Sequence, residues 1–220
     1  DPTMLAHWFA PVTHLVLAFV VAALAAAIGL NRRETLAAVA IAELANWVAQ
    51  DYFAPQAFAF TLGLGVIVLL ISTPVTPAAG WLALVLFAAL VPTHQLTPIW
   101  VFGVVVLLAA TGRVRPRALV IPFAALLAGY LIPRRDIVFQ HGGLSSMNPL
   151  ANGAGNVDYA GSAAKMFTSA VCRGLSATVV LLAVVAAVVW WRKGRPFAVP
   201  VVLAFSSFGL LLFNSYGGEA

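Results

Sequence analysis

The sequence predicts an all-α fold, a polytopic transmembrane helix bundle, on three observations. First, hydrophobic residues make up 62% of the 220 and charged residues 9%, against about 25% charge in soluble domains. The mean hydropathy is +0.99, and so little charge cannot cover a surface that faces water all round. Second, the apolar residues form unbroken runs, as in Val101–Ala110 and Val179–Trp191. Barrel strands would alternate apolar with polar residues. Backbone groups in lipid must be satisfied within a helix or a closed barrel, so continuous runs mean helices. Third, Lys and Arg collect in short clusters between the runs, as in the cytoplasmic loops of membrane proteins. That placement accounts for the net charge of +5 without any nucleic-acid partner.

About eight membrane segments follow in order: 8–30, 35–50, 56–72, 80–93, 96–111, 118–132, 171–191 and 197–214. A full span needs about 20 residues, and several of these are shorter. They borrow flanking residues or end at a water-filled cavity; 80–93 and 96–111 also fit one re-entrant hairpin, with Pro92 and Pro98 at its turn. The one long connection, 133–170, is rich in Gly, Asn and Ser. Connections of this length are usually functional or disordered, and an interfacial helix is expected around 159–170. The whole of 1–220 reads as a single transmembrane domain. The opening at Asp1 and the close just after a polar motif make it an expected part of a longer chain.

Sidedness follows from the basic clusters Asn31-Arg32-Arg33, Arg113-Val114-Arg115-Pro116-Arg117 and Arg192-Lys193-Gly194-Arg195, which fall in alternate loops. The positive-inside rule makes their side cytoplasmic. The opposite, outer side then receives the stretch Gln50–Gln56, the turn Pro92–Pro98, the long loop and the terminal Asn214–Glu219.

The candidate site residues lie on or near that outer side. Glu43, Asn46, Gln50 and Asp51 recur at spacings that share one helical face. An ionisable residue inside a span is a functional hypothesis by default, with a polar inter-helix contact as the alternative for Glu43. Asp51, at the boundary, can stay ionised and act as a catalytic carboxylate beside Tyr52 and Gln56. His94 and Gln95 sit between two prolines; a histidine titrates near neutrality and serves as acid, base or phosphate partner, unless it is a plain turn residue. Arg134 and Arg135 stand on the outer side against the usual bias, and guanidinium groups bind phosphate bidentately. Pairing with Asp136 is the alternative. His141 in the long loop, and Tyr216 and Glu219 after the last segment, complete the set, Glu219 as a second carboxylate. Lys165 and Arg173 are weaker phosphate candidates. His14 reads as a packing histidine and His7 as interfacial. Cys172 is the only cysteine, so no internal disulfide forms. No Cys/His metal spacing and no nucleotide-binding glycine motif occurs; a divalent metal ion is the one cofactor left open.

Trp47–Gln56, followed by Thr93-His94-Gln95-Leu96-Thr97-Pro98 and Ser215-Tyr216-Gly217-Gly218-Glu219, resembles a group of actinobacterial polytopic membrane proteins described as glycosyltransferase-like, of the C-type superfamily. The motif order spans the chain, and the Ala/Val/Leu/Arg bias fits a high-GC bacterium. The resemblance implies a polyprenyl-phosphate-sugar-dependent transferase at the non-cytoplasmic face, acting in cell-envelope glycan assembly. Its partners would be membrane lipid, a lipid-linked sugar donor and a glycan acceptor. In C-type enzymes the catalytic carboxylate commonly lies in the first outer loop, which here would precede Asp1; whether Asp51 is catalytic or shapes the pocket stays open. Two alternatives share the pattern: a polysaccharide polymerase or ligase, and a transporter or flippase of envelope precursors.

Overall fold

The structure is a computed structural model that describes residues 2–45, 55–94, 96–136 and 163–206. These residues are helical throughout, joined by short turns. The helices are α1 (Pro2–Ala27), α2 (Arg32–Ala45), α3 (Pro55–Ser72), α4 (Ala78–Leu90), α5 (Thr97–Ala110), α6 (Val120–Leu131), α7 (Ala163–Arg192) and α8 (Ala198–Ser206). Among the described residues three stretches are long and apolar enough to cross a membrane: His7–Ala27, Pro55–Ser72 and Arg117–Arg134. Ala78–Leu90, Thr97–Ala110 and Ala177–Arg192 are apolar but shorter.

The helix bounds differ from the apolar runs in an informative way. Helix α1 begins before residue 8 and α7 begins at Ala163, inside the stretch expected as loop and interfacial helix. Polar residues at a helix end carry no hydropathy signal, yet Ala, Met and Lys are good helix formers, so the helix runs past the apolar run.

The chain divides into two compact units, residues 1–130 and 131–220. In the first, α3 is central and packs against α1, α4 and α5. Val66, Ile67 and Leu70 of α3, Phe87 and Leu90 of α4, and Val101, Val104, Val105 and Leu108 of α5 are all fully buried. Phe123 of α6 packs on Phe87 with ring centroids 4.8 Å apart. Close approach of α3 and α5 depends on Gly63, where an added Cβ would stand 2.9 Å from Val101 Cγ2. In the second unit α7 and α8 pack together.

Helix ends are set by local chemistry. Asn31 and Glu34 form a capping box at the start of α2: Asn31 Oδ1 accepts from the Arg33 and Glu34 N–H groups at 3.0 and 3.1 Å, and Glu34 Oε2 accepts from Asn31 N–H at 2.9 Å. Helices α1, α5 and α7 end in the same way. A left-handed glycine (Gly29, Gly112 or Gly194, φ +84°, +74° and +66°) follows the last turn. The two N–H groups at that turn bond back to carbonyls of the helix, for α5 as Gly112 N to Ala109 O and Arg113 N to Leu108 O. This is the Schellman termination, which satisfies orphan carbonyls and needs a residue free to adopt positive φ. Gly29 and Gly112 are followed closely by basic clusters and Gly194 stands within one, so cations stand next to the negative ends of three helices.

Candidate functional site

The first unit has two chemically different ends, and two sets of contacts define them. At one end the Thr73 Oγ1 accepts from the Arg115 N–H at 2.9 Å, joining the α3–α4 turn to the α5–α6 connection. Gly80, at the start of α4, lies against Leu119. This end carries Arg113, Arg115 and Arg117. Toward the other end, Phe60 of α3 stacks on Trp100 of α5 with centroids 6.0 Å apart, and Gly63 faces Thr97, Trp100 and Val101. Helices α3 and α5 therefore run parallel, and both start at the end away from the arginines. Gln56, exposed in the first turn of α3, and His94, three residues before Thr97, share that end.

His94 is held by the helix it precedes. Its Nδ1 accepts from the Thr97 backbone N–H at 3.2 Å and from the Thr97 hydroxyl at 2.8 Å. That satisfies one of the orphan donors at the start of α5. With Nδ1 committed as acceptor, the neutral ring carries its proton on Nε2. Burial pushes the imidazole below the usual histidine range, so near neutrality His94 is an N–H donor at Nε2. Chemically it can bind a phosphate or hydroxyl oxygen.

Glu43 pairs with His14. The Nδ1 to Oε2 distance is 2.6 Å, with the side chains 30% and 28% exposed. The pairing follows from antiparallel geometry. His14 lies thirteen residues before the end of α1 and Glu43 eleven after the start of α2, about 20 and 16 Å from the connecting turn at 1.5 Å per residue. The two meet at a similar level of the α1–α2 hairpin, both part-buried. The second carboxylate oxygen, Oε1, is buried without a hydrogen-bond partner among the described residues. The packing role expected for His14 is thereby replaced by a polar one. The signal was present, since two ionisable residues at matched depth on either side of a tight turn must face the same level of the bundle.

Arg135 Nε stands 3.6 Å from Asp136 Oδ1, both side chains largely exposed; such pairs contribute little to stability. Arg134 closes a short 3-10 turn, Ile132–Arg134. Asp51, Gln50, Tyr52, Gln95, His141, Tyr216 and Glu219 lie outside the described residues. So do the side chains of Lys165 and Arg173, although both positions are in α7. Among the described residues no group of three or more His, Cys, Asp or Glu could hold a metal ion. Neither a protein family, nor a curated protein, nor a solved structure matches this chain.

Proposed function

We propose that the chain is a multi-pass protein of a bacterial plasma membrane that acts on lipid-linked sugars at the non-cytoplasmic face, as a glycosyltransferase-like enzyme of envelope glycan assembly. The observation that supports this reading is the two-ended first unit. Arginines gather at one end, while α3 and α5 both begin at the other, bringing Gln56 and His94 there. Asp51 precedes Pro55 by four residues.

In this reading the Asp51 carboxylate takes the proton of an acceptor hydroxyl as general base. The acceptor oxygen forms the new bond to the sugar's anomeric carbon. The bond from that carbon to the phosphate oxygen breaks, and polyprenyl phosphate leaves with the electron pair. Arg134 and Arg135 neutralise the charge developing on that phosphate, and His94 offers its Nε2–H to a sugar or acceptor hydroxyl. Glu219 acts as the second carboxylate, while Gln50, Tyr52, Gln56, Gln95, His141 and Tyr216 contact sugar or acceptor hydroxyls. A divalent metal would assist the leaving phosphate.

The test is transfer from polyprenyl-phosphate sugars by the purified full-length protein. Asp51→Asn is expected to lower the rate by at least about 100-fold, the lower range for a positioned general base; transfer at the wild-type rate would remove Asp51 from the mechanism. One observation favours a second reading, transport of an envelope precursor: the His14–Glu43 pair is a part-buried ionisable site between two helices. Precursor flux in proteoliposomes that yields no glycan product and is lost in Glu43→Gln would favour transport.

A further inference from the structure

The connection between α5 and α6 is built rather than loose. Val114 is fully buried between two arginines. The N–H of the next residue, Arg115, is tied to the Thr73 hydroxyl at 2.9 Å, and that hydroxyl itself is buried and donates to Leu70 O at 2.7 Å. Gly112 turns the chain at φ +74°, and an Arg117 guanidinium nitrogen comes within 3.5 Å of where its Cβ would be. The loop thus folds back on itself and holds Arg113, Arg115 and Arg117 within five residues. Arg115 and Arg117 are exposed and Arg113 is half-buried. No carboxylate among the described residues lies within ion-pair distance of any of the three. Beside them, in the α3–α4 turn that Thr73 anchors, Val75 is 88% exposed. An exposed apolar side chain in the turn that Thr73 ties to the arginine loop, at the end of a bundle of apolar helices, matches the boundary where headgroup phosphates meet acyl chains.

We infer that the loop Gly112–Arg117, fixed by Val114 and Thr73, is a binding site for the phosphate of an anionic lipid headgroup. The inference rests on the chain being an integral membrane protein, and it does not involve glycosyl transfer. Guanidinium groups bind phosphate oxygens in pairs, and basic clusters next to a span draw anionic lipids. Fixing the loop in advance removes the ordering cost that a flexible basic segment would bear on binding. Val75 supplies apolar contact at the same level. A free phosphate ion would use the charges but not the apolar neighbour, so the lipid is the occupant.

The experiment uses the full chain, extracted from membranes that have resisted an alkaline wash and held in a neutral detergent. Binding of a fluorescent phosphatidylglycerol is followed by anisotropy, with unlabelled phosphatidylglycerol, phosphatidylcholine or inorganic phosphate as competitor. Saturable binding is expected, displaced by phosphatidylglycerol and by neither of the others. Each cation near a surface is worth roughly fivefold, so the triple variant Arg113→Gln/Arg115→Gln/Arg117→Gln should lose on the order of 100-fold in affinity. Thr73→Val keeps all three charges but frees the loop, and should weaken binding about tenfold while the salt dependence set by those charges is retained. The double variant Arg32→Gln/Arg33→Gln should bind nearly as wild type. Equal losses in the double and triple variants, wild-type binding by Thr73→Val, or equal displacement by inorganic phosphate would each overturn the site. Loss of the protein in the alkaline wash would instead overturn the membrane reading, and the transfer reading with it.

Discussion

His94 and the His14–Glu43 pair show what a titratable side chain does when a helix or a neighbour claims it. His94 accepts from Thr97 at the start of α5, so His94→Ala should destabilise the protein by about 1 kcal/mol, the usual worth of an N-terminal cap, read from thermal unfolding. Its pH dependence has a definite sign. Burial lowers the folded-state pKa below the ordinary 6.5, so the unfolded chain binds the extra proton first. Stability from this group is complete above that value and declines as pH falls through the window beneath it. His94→Asn, which keeps an acceptor but cannot titrate, should flatten the decline. For the pair, His14→Leu strands a carboxylate within the hairpin and Glu43→Leu strands an imidazole. Each single change should cost about 1 kcal/mol, the low end of the penalty for an unsatisfied polar group, because both side chains keep partial access to solvent. The double variant should cost clearly less than the two singles combined; additive losses would show that the two side chains do not interact.

Between helices, packing is decided by where small residues stand. Gly63 lets α3 meet α5, since a Cβ there would come within 2.9 Å of Val101, whereas a Cβ on Gly103 meets nothing within 4 Å. Gly63→Ala should therefore destabilise by about 1–3 kcal/mol through overpacking, and Val101→Ala should recover much of that loss. Gly103→Ala, within α5, should be neutral or stabilising by up to about 1 kcal/mol from helix propensity alone. Both are read as shifts in the thermal midpoint in detergent. The three glycine-terminated helices belong to this scale as well. Gly29 and Gly112 stop α1 and α5 just before basic clusters and Gly194 stops α7 within one, so one short motif ends the helix and places the cations.

For the molecule as a whole, the parallel run of α3 and α5 separates the arginine loop from the turn that holds His94. In the proposed orientation, which follows the positive-inside rule, position 95 lies on the non-cytoplasmic side and position 115 on the cytoplasmic side. In a Cys172→Ser background, an impermeant thiol reagent applied to intact cells should label Gln95→Cys and leave Arg115→Cys unmodified until the membrane is opened. The reverse pattern would exclude an outward-facing site. In the second unit, taken by itself, α7 and α8 pack together.

Helicity and apolar character were legible in the residues themselves, because both are additive along the chain: hydropathy sums over a window, and an amide in lipid has only an intra-helical partner to turn to. The stopping points were partly legible too, since glycine before a basic cluster and Asn31 three residues before Glu34 are local signals. The candidate site was less so. Asp51, Glu219 and most of their companions lie outside the described residues, and among the rest the tertiary structure reassigned partners. His14, read as packing, met Glu43 across 29 positions, and His94 became the partner of Thr97. Thr73, without any sequence signal, anchored Arg115 from 42 positions away. Composition and periodicity describe each helix alone. Which side chains meet depends on the rotation and register of one helix against another, and only packing sets those.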